Sequence, residues 1–359
     1  MRAAVTAIAV CSSACAAIAP APGAPGSSTP SPASPRAHDF SERDVDILAR
    51  DVTLTGTIAI PEGDRRWPAV ILIHGSGPLG RDERLPGQLG VQFGFEIPVF
   101  AQLSDHLARA GFAVVRYDKR TCTRRHGCDN DYPEVDDLHF DDLLADAQAV
   151  IEWMREHPAI DPARVFVIGH SQGGTFAPEL LTDNPELPAA VMLAAPYRPI
   201  DELSHHQADH VERLLLSANQ HPHLIGIRMQ QLAEIASRLR KLRAGSFSKP
   251  MIADTPVAYW QEWMALGDAM PPLVQALDRP LLALSGDLDT NVPPSETRLW
   301  REAFANVSPN PGHVAVLLPC VTHALNCVAR DDAGEQYPER FVSPLVVEET
   351  LRFLARWNR

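Results

Sequence analysis

Basic residues are scarce in this chain. Lys and Arg total 32 against 45 Asp and Glu, and the formal charge is −13 at pH 7. A phosphate-binding face needs clustered positive charge, so nucleic acid is not an expected partner. Long apolar runs are missing as well. The first, Ala3 to Val10, contains Thr6 and is cut off by Ser12 and Ser13; no run is long enough to cross a bilayer. Of the 359 residues, 45% are hydrophobic and 21% charged. That mixture excludes a collagen-like, coiled-coil or wholly disordered chain. The length suits one large α/β domain with insertions, or two average domains.

What is present begins with a leader. Met1-Arg2, a short apolar stretch and small residues through Ala19 read as a signal peptide over 1–19. The protein is therefore expected to be exported: periplasmic, secreted or lipid-anchored. Ser13-Ala14-Cys15 is a candidate lipoprotein site, at which an acylated Cys15 would attach the chain to a membrane, although Ser12 stands where an aliphatic residue is usual. Residues 20–39 form a Pro/Ser/Gly-rich linker with no apolar surface to bury. Folded structure is expected from about Phe40.

Six cysteines are present, four of them beyond the leader: Cys122, Cys128, Cys320 and Cys327. An even count in an exported protein suggests disulfides. Pairing Cys122 with Cys128 and Cys320 with Cys327 is the simplest of the three connectivities, and four free thiols are the alternative. Loops this short would mainly shape the local chain. Cys122, His126 and Cys128 match no standard zinc spacing.

Periodicity then divides the body. Asp44–Asp51 and Val52–Ile60 alternate and predict an antiparallel opening pair. Short apolar runs at 69–73, 112–115, 165–168, 190–194, 281–284 and 314–318 read as buried strands. Helices are predicted over 96–110, stopping at Gly111, and through Leu143, Ala147, Val150, Ile151 and Met154 up to Pro158. The last helix takes Ser343 as N-cap and Pro344 as its first residue, with Val346, Val347, Thr350, Leu351 and Leu354 inward. Strands alternating with helices imply an α/β fold whose mostly parallel sheet is covered on both faces. Ligands bind such sheets beyond the carboxyl ends of the strands.

Four strand ends carry chemistry. Gly169-His170-Ser171-Gln172-Gly173 follows a strand and opens a helix, the setting of a nucleophile elbow that presents Ser171. Leu284 to Asp289 offers a carboxylate to orient an imidazole; Asp289 is preferred because Gly286 can make the turn, with Asp287 as the rival. His323 lies five residues beyond Leu318 and is the candidate general base, whereas His313 precedes the same strand and belongs to the opposite edge. His74-Gly75-Ser76-Gly77-Pro78 can aim backbone N–H groups at an oxyanion. The expected donors are the N–H groups of Gln172 and Ser76, with Gly77 as rival to Ser76.

These residues resemble the α/β-hydrolases over about 40–359. More narrowly, the chain looks like bacterial carboxylesterases of the dienelactone-hydrolase-like group, which carry an HGSGP oxyanion loop and an RYDKR strand end, here His74 to Pro78 and Arg116 to Arg120. Thr121 stands where that group commonly has glycine. The resemblance implies an α/β-hydrolase fold and a serine hydrolase with Ser171, His323 and Asp289 as its triad. It implies a small-molecule ester substrate, and no metal or organic cofactor is required.

Residues 197–278 separate two strands by far more than a crossover needs. They read as a helical cap, with helices at 201–218, 224–243 and 256–277. Trp260, Trp263, Met264 and Leu266 could line an acyl pocket or form the cap's own core. Arg116 and Arg120 could meet a substrate carboxylate or brace the sheet. A thioesterase or peptidase would use the same triad, and a non-catalytic binding protein could share the fold. The sequence carries no signal for oligomeric state.

Overall fold

Runs of Val, Ile, Leu and Ala build a single large sheet. The computed structural model describes residues 37–85, 96–130, 132, 137–217, 222–330 and 336–359. Its main strands are β1 (Phe40–Leu48), β2 (Thr53–Pro61), β3 (Trp67–Ile73), β4 (Ala113–Tyr117), β5 (Ile160–His170), β6 (Ala190–Leu193), β7 (Leu281–Gly286) and β8 (Val314–Leu318). Their order across the sheet is β1-β2-β4-β3-β5-β6-β7-β8. β1 and β2 pair antiparallel, as does β2 with β4, and the remaining pairs are parallel. The middle of the sheet is buried on both faces, which is why β3 and β6 are apolar without alternation. Only the outer β1 is largely exposed.

Helices cover both faces. α1 (Val99–Arg109) and α9 (Pro344–Trp357) bury Phe100, Leu103, Leu107, Val346, Phe353 and Leu354 on one side. α2 (Phe140–Glu156) and α8 (Ser295–Ala305) bury Phe140, Leu143, Val150, Ile151, Trp300 and Phe304 on the other. α1 stops before Gly111, whose φ of 91° suits a residue without Cβ. α9 starts where the Ser343 hydroxyl accepts the Leu345 N–H at 3.3 Å. Phe353 takes the inward place that periodicity assigns to Leu351, which is only half-buried.

Two short helices, α3 (Gln172–Thr175) and α4 (Ala177–Asp183), follow β5. Between β6 and β7 stand α5 (Ile200–Ser217), α6 (Pro222–Arg243) and α7 (Val257–Ala276), close to the three expected segments. α7 packs onto the body. Trp263 stacks on Phe140 at 5.3 Å between centroids, and Tyr259 meets the same ring edge-on at 5.4 Å. Trp263, Met264 and Leu266 thus belong to the continuous core beneath α7. Trp260 is half-buried and donates its indole N–H to the Ile252 carbonyl.

The longest strands that escape the sequence pattern form a hairpin of β9 (Asn326–Arg330) and β10 (Gln336–Val342). Pro338, Glu339 and Arg340 break any apolar alternation in its second strand. The cysteines pair as Cys122–Cys128 and Cys320–Cys327. The leader, with Cys15, and the linker as far as residue 36 lie outside the described residues. Among the described residues no helix is long and apolar enough to cross a membrane.

Candidate active site

Ser171 occupies the sharp turn from β5 into α3, with φ 52° and ψ −118°. Non-glycine residues rarely hold positive φ, so the surroundings must enforce it. They do so by close approach. A Cβ on Gly169 would fall 2.2 Å from the Gly173 carbonyl oxygen, and one on Gly173 would fall 2.2 Å from that of Ile73. The Ser171 N–H donates to the Leu193 carbonyl at 2.8 Å, tying the turn to β6. Ser171 itself is half-buried.

Asp289 and His323 meet although 34 residues separate them: Asp289 Oδ2 lies 2.9 Å from His323 Nδ1. The Asp289 side chain is buried, and its other oxygen accepts the N–H groups of Asn291 and Val292 at 2.8 Å each. Asp287 is exposed at the same turn. The two loops are nested. A Cβ on Gly286 would lie 2.0 Å from the Val321 carbonyl oxygen, so the His323 loop crosses directly over the end of β7. The Cys320–Cys327 disulfide closes that loop on either side of His323. His313 sits elsewhere, ahead of β8. It stacks on Phe304, its Nδ1 accepts the Leu281 N–H at 3.1 Å, and burial pushes its pKa down to about 4.

The loop after β3 runs beside the elbow. A Cβ on Gly75 would lie 3.2 Å from Ser171 Cβ. The Gly75 N–H donates to Glu83 Oε1 at 2.7 Å, and the Gly75 carbonyl accepts from Lys119 Nζ at 2.7 Å. Ser76 is exposed next to it, and Gly77 has a φ of 102°. His74 packs against Phe100 and Tyr117, and burial pushes its pKa down to about 4. Lys119 also donates to Gln172 Oε1 at 2.8 Å, and Gln172 Nε2 donates to the Tyr259 hydroxyl of α7. Burial pushes the Lys119 ammonium down to about 7, against the opposing pull of Glu83 and Asp146.

Behind Ser171 lies a pair that the sequence does not single out. His170 Nε2 donates to the His323 carbonyl at 2.9 Å, while Nδ1 faces Glu83 Oε1 at 3.1 Å. Both ring nitrogens meet acceptors, which is the bonding of an imidazolium. Burial acts to lower the His170 pKa, but the charge and hydrogen bond of Glu83 outweigh it and raise the value. Glu83 is lowered in turn: burial opposes this, and the charge and hydrogen bond of His170 overcome it. Arg116 is paired with Asp82 and Glu42, and Arg120 with Asp146 and Asp51. These arginines brace the strand end and its neighbours.

A family profile described as serine aminopeptidase, S33, matches residues 93–325. The chain is 27% identical over 324 residues to Esterase EstD of Thermotoga maritima, covering 89% of this chain and 67% of that protein. Est1E from Butyrivibrio proteoclasticus shares the fold with a TM-score of 0.52 at 15% identity, over 88% of this chain and 98% of that one. The alpha/beta hydrolase GrgF from Penicillium sp. sh18 does so with a TM-score of 0.55 at 17% identity, over 89% and 99%.

Proposed function

The chain belongs to the serine aminopeptidase S33 family of α/β hydrolases, and on that footing we propose that it is a serine carboxylesterase. Its substrates would be small-molecule esters of short to medium acyl length. The contact between Asp289 and His323 at 2.9 Å, at the sheet edge where Ser171 turns, carries this reading.

In the proposed cycle His323 takes the Ser171 proton as Oγ attacks the acyl carbon, since a serine hydroxyl needs an adjacent base at neutral pH. Asp289 holds the Nδ1–H tautomer of His323 and stabilises the imidazolium. The N–H groups of Ser76 and Gln172 receive the oxyanion. His323 then protonates the departing alcohol, and water repeats the sequence on the acyl-enzyme. The helices of 197–278 would cover this edge. The name of the EstD relative favours ester over peptide, while the family description keeps an aminopeptidase reading in view. The two disulfides support export to an oxidising compartment, behind a leader at 1–19 or, if Cys15 is acylated as a lipid anchor, one cleaved just ahead of it.

The test is a panel of p-nitrophenyl esters of increasing chain length, beside acyl-CoA and aminoacyl p-nitroanilides. Short esters should turn over fastest. Ser171→Ala and a serine-directed phosphonate should each abolish the activity. Turnover surviving Ser171→Ala would overturn the mechanism, and anilide cleavage exceeding ester cleavage would transfer it to peptides.

A further inference from the structure

We propose that Lys119 is a positioning residue for the oxyanion site, holding in place both groups that carry its N–H donors. This rests on the reading above, in which those donors belong to Ser76 and Gln172.

The Gly75 carbonyl and the Ser76 N–H belong to one peptide unit. In a planar trans peptide these two groups point in opposite directions. With the carbonyl held at 2.7 Å by Lys119 Nζ, the Ser76 N–H is directed away from the lysine. Glu83 fixes the other side of the same residue by accepting the Gly75 N–H at 2.7 Å. Gly75 is thereby restrained from both ends, at a point where its backbone runs against Ser171. Glycine is otherwise the residue least able to fix a peptide plane.

The second donor is reached through a side chain. Lys119 Nζ donates to Gln172 Oε1 at 2.8 Å, and the amide nitrogen of Gln172 is engaged by Tyr259. Gln172 is therefore clamped at both side-chain atoms.

The acceptors that Lys119 chooses separate this role from ordinary bracing. A buried ammonium is costly unless paired. Asp118 and Arg120, its chain neighbours, are both in ion pairs. Lys119 is only 5% exposed, and the two hydrogen bonds of its ammonium go to neutral oxygens, one on the oxyanion loop and one on the elbow. A hydrogen bond to the Gly75 carbonyl also polarises the amide and strengthens its N–H as a donor.

Lys119→Met keeps the length and removes the donors. It should lower kcat by ~10²-fold, the typical effect of losing one oxyanion donor, and change KM by less than about threefold. The affinity of a phenylboronic acid, whose tetrahedral serine adduct places an oxygen in the oxyanion site, should fall in parallel with kcat/KM. Lys119→Gln, which keeps a neutral donor, should recover part of both losses, and it carries the same comparison if the Met variant does not fold. A folded variant with kcat within about threefold of wild type would overturn the proposal, as would a fall in kcat with boronate affinity unchanged. Ser171→Ala, measured alongside, separates the two levels. If its activity persists, the hydrolase mechanism fails; if it is inactive while Lys119→Met is unimpaired, only the lysine's role fails.

Discussion

Glu83 and His170 form a solvent-free charged pair directly behind the elbow, Glu83 Oε1 standing 3.1 Å from His170 Nδ1. The pair joins three loops: Glu83 also holds Gly75, and His170 also holds the carbonyl of His323.

The pair should make stability depend on pH in a defined window. Glu83 is lowered from its usual 4.5, so its contribution is full above that value and is lost as pH falls through the lowered one. His170 is raised from its usual 6.5, so its contribution is full below that value and is lost as pH rises through the raised one. Relative to Glu83→Gln, wild type should gain about 3 kcal/mol within this window. The gain should shrink on both sides, as read by urea denaturation across pH. A difference independent of pH would remove the charged pair from the account.

The two acidic residues after β7 should behave differently. Asp289→Asn leaves the shape intact but disturbs the His323 tautomer, and kcat should drop by ~10³–10⁴-fold. Asp287→Asn, at an exposed position, should stay within about threefold of wild type. Steady-state kinetics on one good ester compares them, and equal losses would reassign the acid.

Cys320→Ser combined with Cys327→Ser should act on turnover more than on folding. The loop it opens is short, so the stability lost should be about 2 kcal/mol. The same loop carries His323, and a displacement of about 1 Å can cost as much as ~10²-fold in rate. Phosphonate labelling rates beside thermal melts make the comparison. Unchanged labelling would mean that the backbone holds His323 without the bond.

Gly173→Ala should be among the most damaging small substitutions in the chain. Its Cβ would meet the carbonyl oxygens of Ile73 and His74 at 2.2 and 2.5 Å, atoms of β3 and the loop after it that have no rotamer to change. A loss above about 3 kcal/mol is expected. Gly127→Ala, where nothing lies within 4 Å but φ is 85°, should cost only about 1 kcal/mol. Chemical denaturation of both variants provides the check.

The sheet was readable because buried parallel strands need uninterrupted apolar runs, and the runs ending at Ile73, Ile168 and Leu284 have few other uses. The elbow was readable for a steric reason, since its glycines are spaced by backbone contacts that no side chain survives. Glu83 was not. It sits in the charged stretch Arg81-Asp82-Glu83-Arg84, which looks like a solvated turn, and its burial depends on a histidine 87 residues away. Lys119 stood in a recognised motif, but its partners Gly75 and Gln172 are set by tertiary packing. In the β9–β10 hairpin Asn326 donates to the Glu339 carbonyl and accepts from the Thr322 hydroxyl, while Gln102 of α1 accepts the Val342 N–H and donates to the Arg340 carbonyl. Polar contacts of that kind leave no periodic trace.

The aromatic layer joining α7 to Phe140 and Phe176 bears on how this scaffold can diversify. α7 shares its buried face with the sheet's own core, so replacing it wholesale would strip a wall from the body. New specificity is easier to acquire by changing residues along the rim of the insertion than by exchanging it as a module.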